Sequence, residues 1–129
     1  MRPIPVVAAV IFRGERMLVC QRPHHKRYGG LWEFPGGKCL PGESLADAAR
    51  RELNEELGVQ VEEVGNELLS LPDPDSVYVI NFTRVNIKGE PVCREHIDLY
   101  WGTPSELQQL PLAPCDKVYV DNLLVGLSN

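Results

Sequence analysis

The sequence predicts a mixed α/β fold in which a mixed β-sheet carries helices on both faces. Three observations predict it. Strand-like and helix-like segments alternate irregularly along 129 residues, with no repeat, linker or low-complexity tract. Residues 45–57 place apolar side chains at helical spacing between a cap and a glycine stop, and a second amphipathic stretch closes the chain. Apolar residues at 43% and charged residues at 24% are ordinary for a soluble globular protein, and the length fits one domain, residues 1–129, with a proper core.

Val6 to Phe12 reads as a buried strand, Arg13 to Arg16 as a turn and Met17 to Gln21 as the return strand. The apolar opening follows Arg2 and superficially mimics a secretory leader, but Pro5 and the hairpin pattern favour a strand. Next comes the basic loop Arg22-Pro23-His24-His25-Lys26-Arg27-Tyr28-Gly29-Gly30. It is either a solvated connection or a clamp for phosphate and base, since arginine forks match phosphate oxygens. His24 and His25 lack a metal-partner pattern and read as loop residues.

Leu31 to Phe34 is a short strand ending in Pro35-Gly36-Gly37, where glycine lets a backbone carbonyl approach a metal. Ser44 then caps a helix, with Asp47 as its capping-box partner and Gly58 as the left-handed stop. Gln60 to Leu71 and Val77 to Ile87 read as strands separated by a Pro72-Asp73-Pro74-Asp75 break, and Ile97 to Trp101 as another. Thr103-Pro104-Ser105-Glu106 opens a short helix. From about Asp116, Val120, Leu123, Leu124 and Leu127 mark an amphipathic terminal helix.

The central helix carries the chemistry. Leu45, Ala49, Leu53 and Leu57, with Ala46, share one arc and form its buried stripe. Glu52, Glu55 and Glu56 crowd the neighbouring arc. On an isolated helix Glu52 and Glu56, at i,i+4, repel by roughly 0.2–0.5 kcal/mol. Such glutamates commonly form a solvated face, and Arg51 to Glu55 is an ordinary i,i+4 pair. A hard divalent cation reverses the sign of the repulsion, because Mg²⁺ takes carboxylate oxygens and keeps waters for a phosphate substrate.

Composition sets the partners. A net charge of −5 argues against a nonspecific nucleic-acid binder, and a nucleotide must be held by local cations and metal. No apolar run approaches the ~18 residues of a membrane span. Cys20, Cys39, Cys93 and Cys115 are scattered without a C-x-x-C pair, which fits reduced thiols and a cytoplasmic location.

The spacing of Gly37, Glu43, Arg51-Glu52-Leu53, Glu55-Glu56 and Gly58-Val59 resembles, without a gap, the box of the Nudix hydrolases. At roughly 7% usage per specified residue, a chance match is on the order of 10⁻⁸ per register. The run Gly30-Leu31-Trp32-Glu33-Phe34-Pro35-Gly36-Gly37-Lys38 is similar to the MutT-type branch, the nucleoside triphosphate pyrophosphohydrolases. The resemblance implies an αβα sandwich. It implies Mg²⁺, or Mn²⁺, held by Glu52, Glu55 and Glu56 with a carbonyl of Gly36 or Gly37, and a further carboxylate from outside the box. That branch often places the further glutamate immediately before Trp101, where Tyr100 stands here; Glu95, six residues before Trp101, is favoured instead. Arg51 and Glu43 are expected to brace the helix against the loop, and Glu52 is the first choice of general base.

Arg22, Arg27, Glu33, Phe34, Pro35, Lys38 and Asp116 are the substrate-binding candidates, with Arg22 at the branch's nucleotide-contacting arginine. Tyr28, Trp32 and the 110–116 turn can also frame a base, although Trp32 reads first as core. Asp116 reads a base edge or caps the last helix, with capping favoured. Pro114 stands where 8-oxo-guanine-selective members have asparagine, and Pro-Leu-Ala-Pro-x-Asp is similar to the CTP and modified-pyrimidine branch.

The expectation is a monomeric or homodimeric enzyme that converts a modified or oxidised nucleoside triphosphate to monophosphate and pyrophosphate. A nucleoside diphosphate sugar or dinucleotide hydrolase is the nearby rival. A non-catalytic lesion-reading module, like the C-terminal domain of adenine DNA glycosylases, is the remote one, because such modules lack an intact box.

Overall fold

The computed structural model describes residues 2–128, with side chains as far as Gly126, so the Leu127 side chain of the terminal stripe lies outside the described residues. Eight strands and three helices follow in the order β1 (Ile4–Val10), β2 (Phe12–Arg13), β3 (Arg16–Gln21), β4 (Trp32–Glu33), β5 (Gly36–Lys38), α1 (Leu45–Leu57), β6 (Gln60–Pro72), β7 (Tyr78–Lys88), β8 (Asp98–Gly102), α2 (Pro104–Gln108) and α3 (Pro114–Ser128).

Two sheets replace the single one expected. The mixed sheet runs β5-β1-β7-β6, with β1 and β7 parallel and the other pairs antiparallel. The antiparallel sheet gathers β2, β4 and β8 around β3. Leu18 N donates to Ile11 O (3.1 Å) where the two approach.

Alternation builds the layers. Val7, Ala9, Ile11, Leu18 and Cys20 face one side and pack with Ala48, Ala49, Leu53 and Leu57 of α1. Ala8, Val10, Met17 and Val19 face the other and pack with Leu107 of α2 and Tyr119 and Val120 of α3. Strands buried on both faces read as continuous apolar runs, which is why β1 lacks a polar alternation. Helices lie on both sides of the strands, as the αβα expectation requires.

Several boundaries move. The first strand ends at Val10, and Phe12 begins β2. Gly36–Lys38 has little strand propensity of its own, and pairing with β1 at Val6–Lys38, Val7–Gly37 and Ala8–Gly36 makes it the separate strand β5. In α1 the Ser44 side chain accepts from Asp47 N and Gly58 stops the helix at φ 68°, but the Asp47 carboxylate turns to Arg50 (3.5 Å) instead of closing the box. Ala48, not Ala46, joins the fully buried stripe, together with Glu56. α3 starts two residues before Asp116, at Pro114.

Candidate active site

A cavity of about 590 Å³ opens between α1, β5, the 22–30 loop, the 91–97 segment and the start of α3. Glu33, Phe34, Glu52, Glu56, Glu95 and Asp116 all line it, and the Glu33 charge acts on both Glu56 and Asp116. The cap and helical phase of α1 turn Glu52 and Glu56 toward β5.

Arg51 organises the neighbouring carboxylates. Its Nε and Nη2 donate to Glu43 Oε2 (3.0 Å) and Oε1 (2.8 Å), Nη2 also donates to Lys38 O (2.9 Å), and Nη1 donates to Glu52 Oε1 (2.7 Å). The brace expected between Arg51 and Glu43 is therefore a bidentate pair. Those bonds, with the Leu40 amide, pull the Glu43 pKa down to about 2.

Glu56 is buried, and its Oε2 accepts from Gly36 N (3.1 Å). Burial first, then the charges of Glu52, Glu33 and Glu95, push its pKa up to about 9. Burial also raises Glu52, against the pull of Arg51. Glu55 stands outside the cavity wall, half exposed, with Oε2 3.8 Å from Arg51 Nη1.

Among the described residues, no three acidic, histidine or cysteine side chains converge into a ready-made cation cage. The donor set nonetheless fits a hard divalent cation. Buried carboxylates without sufficient countercharge are disfavoured as anions, and a cation removes that penalty. The backbone fits too: a Cβ on Gly37 would sit 2.5 Å from Glu52 Cδ, so only glycine lets the carboxylate lie against this strand.

Phe34 N donates to Asp116 Oδ2 (2.9 Å). Asp116 lies inside the first turn of α3, where its carboxyl meets its own amide as well as that of Phe34, between β4 and β5, and it lines the cavity. Burial, with the nearby Glu33 charge, pushes it up to about 8. The Phe34 ring packs edge-on against Phe82 and Tyr119 in the core, leaving its backbone at the cavity. Pro35 is buried between the wall residues Phe34 and Gly36, with its carbonyl accepting from Ala9 N (2.7 Å). Trp32 is half-buried edge-on to Tyr100, as its core reading expected.

Arg22 is not a free clamp. Nη1 lies 3.0 Å from both Glu33 oxygens, and Nε donates to Arg27 O (2.7 Å). Arg27 pairs with Asp73 (3.3 Å), and the Tyr28 hydroxyl donates to the same carboxylate (3.1 Å). Lys38 Nζ lies 4.9 Å from the centre of the Tyr78 ring. Cys115 lines the wall from within the 110–116 turn expected to frame a base. Asp73 and Tyr78 are wall residues that sequence reasoning missed, as is His96, whose Nε2 lies 3.1 Å from Glu33 Oε2 and which had no local signal.

An αβα fold with acidic side chains of one helix set against a glycine strand, and further polar groups in the same cavity, defines a class built to hold a metal-bound polyphosphate beside a base. The chain belongs to the Nudix family: the NUDIX domain matches residues 2–123. It is 41% identical over 119 residues to a protein of Escherichia coli K12 named CTP pyrophosphohydrolase, covering 90% of this chain and 87% of that one. It is 32% identical over 122 residues to an 8-oxo-dGTP diphosphatase of Haemophilus influenzae, covering 92% and 90%. A solution structure of the E. coli ORF135 protein superposes with a TM-score of 0.81 at 38% identity, covering 97% of this chain and 91% of that one. A structure from work on MutT of Aliivibrio salmonicida and Vibrio cholerae gives 0.82 at 33%, covering 97% and 99%.

Proposed function

We propose that this chain, as a single domain spanning residues 1–129, hydrolyses a nucleoside triphosphate, modified or canonical, to the monophosphate and pyrophosphate with Mg²⁺ as cofactor. The observation that carries the reading is a single cavity lined by Glu52, Glu56 and Glu95 together with Glu33 and Asp116. The names of the E. coli and Haemophilus relatives support CTP and 8-oxo-dGTP as the substrates to try first.

Glu52, Glu55, Glu56 and Glu95, with a carbonyl of Gly36 or Gly37, would hold the metal. When bound, the ion neutralises phosphate charge and polarises the anhydride. The chain's own residues do the rest. Arg51 holds Glu52 in place while bracing α1 on Glu43. Glu52 takes the proton of the attacking water. Lys38 and Arg27 lie along the wall as local cations for phosphate, offsetting a negative chain. Asp116 and Glu33 meet the base.

No helix among the described residues is long and apolar enough to cross a membrane, and Cys20, Cys39, Cys93 and Cys115 are free thiols. We propose a cytoplasmic monomer or homodimer that acts on small nucleotides and not on nucleic acid. The test is product analysis with Mg²⁺ on CTP, 8-oxo-dGTP, UTP and nucleotide sugars. Pyrophosphate plus monophosphate from a triphosphate is the expected result. Faster release of a sugar phosphate from a nucleotide sugar would move the chain to that class.

A further inference from the structure

Residues 91–97, between β7 and β8, run from the end of α1 to the end of β3 with their backbone pinned at both places. Val92 N donates to Leu57 O (3.0 Å) and Arg94 N to Glu56 O (3.1 Å) at the end of α1, while Ile97 N donates to Gln21 O (2.9 Å) at the end of β3. Between these pins lie two neighbours with different environments. Glu95 is exposed and lines the cavity. The His96 side chain is 4% exposed, with Nε2 3.1 Å from Glu33 Oε2. Its Nδ1 is buried without a hydrogen-bond partner.

That unmatched nitrogen argues about purpose. Glu33 supplies acceptor oxygens, so Nε2 carries the hydrogen and Nδ1 has surrendered water for nothing. A leucine of similar size would fill the same space without the loss. Packing therefore does not ask for histidine; the donor to Glu33 does. Glu33 already chelates one nitrogen of Arg22 with both oxygens, a contact about which the carboxylate can still pivot. A second donor from a different element removes that freedom.

We infer that His96 is a positioning residue for base selection, holding Glu33 as a fixed acceptor for an N–H donor of the nucleobase and tying it, through one peptide bond, to Glu95 on the metal side. The inference rests on the triphosphate hydrolase reading above. An acceptor held in one orientation favours a base with an exocyclic amine, as in cytosine, over one presenting a carbonyl there, as in uracil.

The experiment compares kcat and KM for CTP and UTP in His96→Leu, His96→Gln and Glu33→Gln proteins and in the Leu/Gln double variant. His96→Leu should keep the melting temperature, raise KM for CTP and lower the CTP-to-UTP ratio of kcat/KM about tenfold. His96→Gln, which keeps a donor near the Nε2 position, should restore the ratio to within about twofold. In the Glu33→Gln background, His96→Leu should change the ratio no further. An unmoved ratio in His96→Leu, or an equal further loss in the Glu33→Gln background, would overturn the inference while leaving hydrolysis intact. No pyrophosphate from any triphosphate with unsubstituted protein would sink both readings. Long-range ¹H–¹⁵N spectra give a readout that survives poor folding of a variant: the His96 ring of the unsubstituted protein should show the Nε2–H form and shift on adding CMP, and signals indifferent to CMP would count against the inference.

Discussion

The Phe34 amide donates to Asp116 Oδ2 at 2.9 Å, joining residues 82 positions apart inside the protein. The bond favours the Asp116 anion, yet burial and the Glu33 charge outweigh it and hold the pKa near 8. Linkage then has a definite sign. The unfolded chain releases this proton near 3.8, while the folded chain keeps it to about 8. Stability from this group is full below 3.8 and is lost as pH rises through about 8. Asp116→Asn cannot ionise, so its urea midpoint should fall less steeply with pH across that window than that of the unsubstituted protein. Parallel curves would reject the assignment. Asp116→Ala should also reorder the bases more than it lowers overall rate; an equal loss for every nucleotide would mean that the carboxyl only supports the strand.

Glu55 supplies the cleanest test of the metal helix, because its side chain is half exposed and its ion pair with Arg51 is long (3.8 Å). Glu55→Gln removes charge with almost no change in volume. Turnover should fall on the order of 10²-fold or more, with the melting temperature unmoved. Unchanged kcat would remove Glu55 from the metal set.

Arg51→Lys probes the brace. One ammonium cannot span Glu43, Glu52 and the Lys38 carbonyl as the guanidinium does. The Mg²⁺ concentration for half-maximal rate should rise about tenfold. The melting temperature should drop as well, and the pH dependence of that drop is set by Glu43. Its lowered pKa stabilises the fold above 4.5, a contribution lost as pH falls through about 2, so the gap between the two proteins should close in acid. A gap independent of pH would show that the loss comes from elsewhere.

What was legible in the sequence is what is local. The α1 box lies within one cap-to-stop segment, so 3.6-residue periodicity alone puts Glu52, Glu55 and Glu56 on adjoining arcs. The strands buried on both faces were legible as apolar runs, though not as two sheets, because which strands pair depends on contacts that no local pattern encodes. β5 was invisible for the same reason: glycines become strand only beside β1. Glu33 and His96 are 63 positions apart and meet through the β4–β3–β8 pairing.

Gly36 and Gly37 are neighbours with opposite constraints, and the contrast separates fold from chemistry. At Gly36 an added Cβ would lie 1.9 Å from Val7 O, a backbone atom in the β1 pairing, at a φ of 151°. Nothing there can yield, so Gly36→Ala should unfold the sheet edge and cost several degrees of melting temperature. At Gly37 the Cβ would meet only the carboxylate end of Glu52, 2.5 Å from Cδ, and a side-chain end can swing away. Gly37→Ala should therefore keep nearly all its stability while displacing Glu52 from the place Arg51 assigns it, lowering kcat roughly 10²-fold. Thermal melts and steady-state kinetics on the pair decide the matter. If Gly37→Ala turns over at the original rate, Glu52 is not the group that takes the proton.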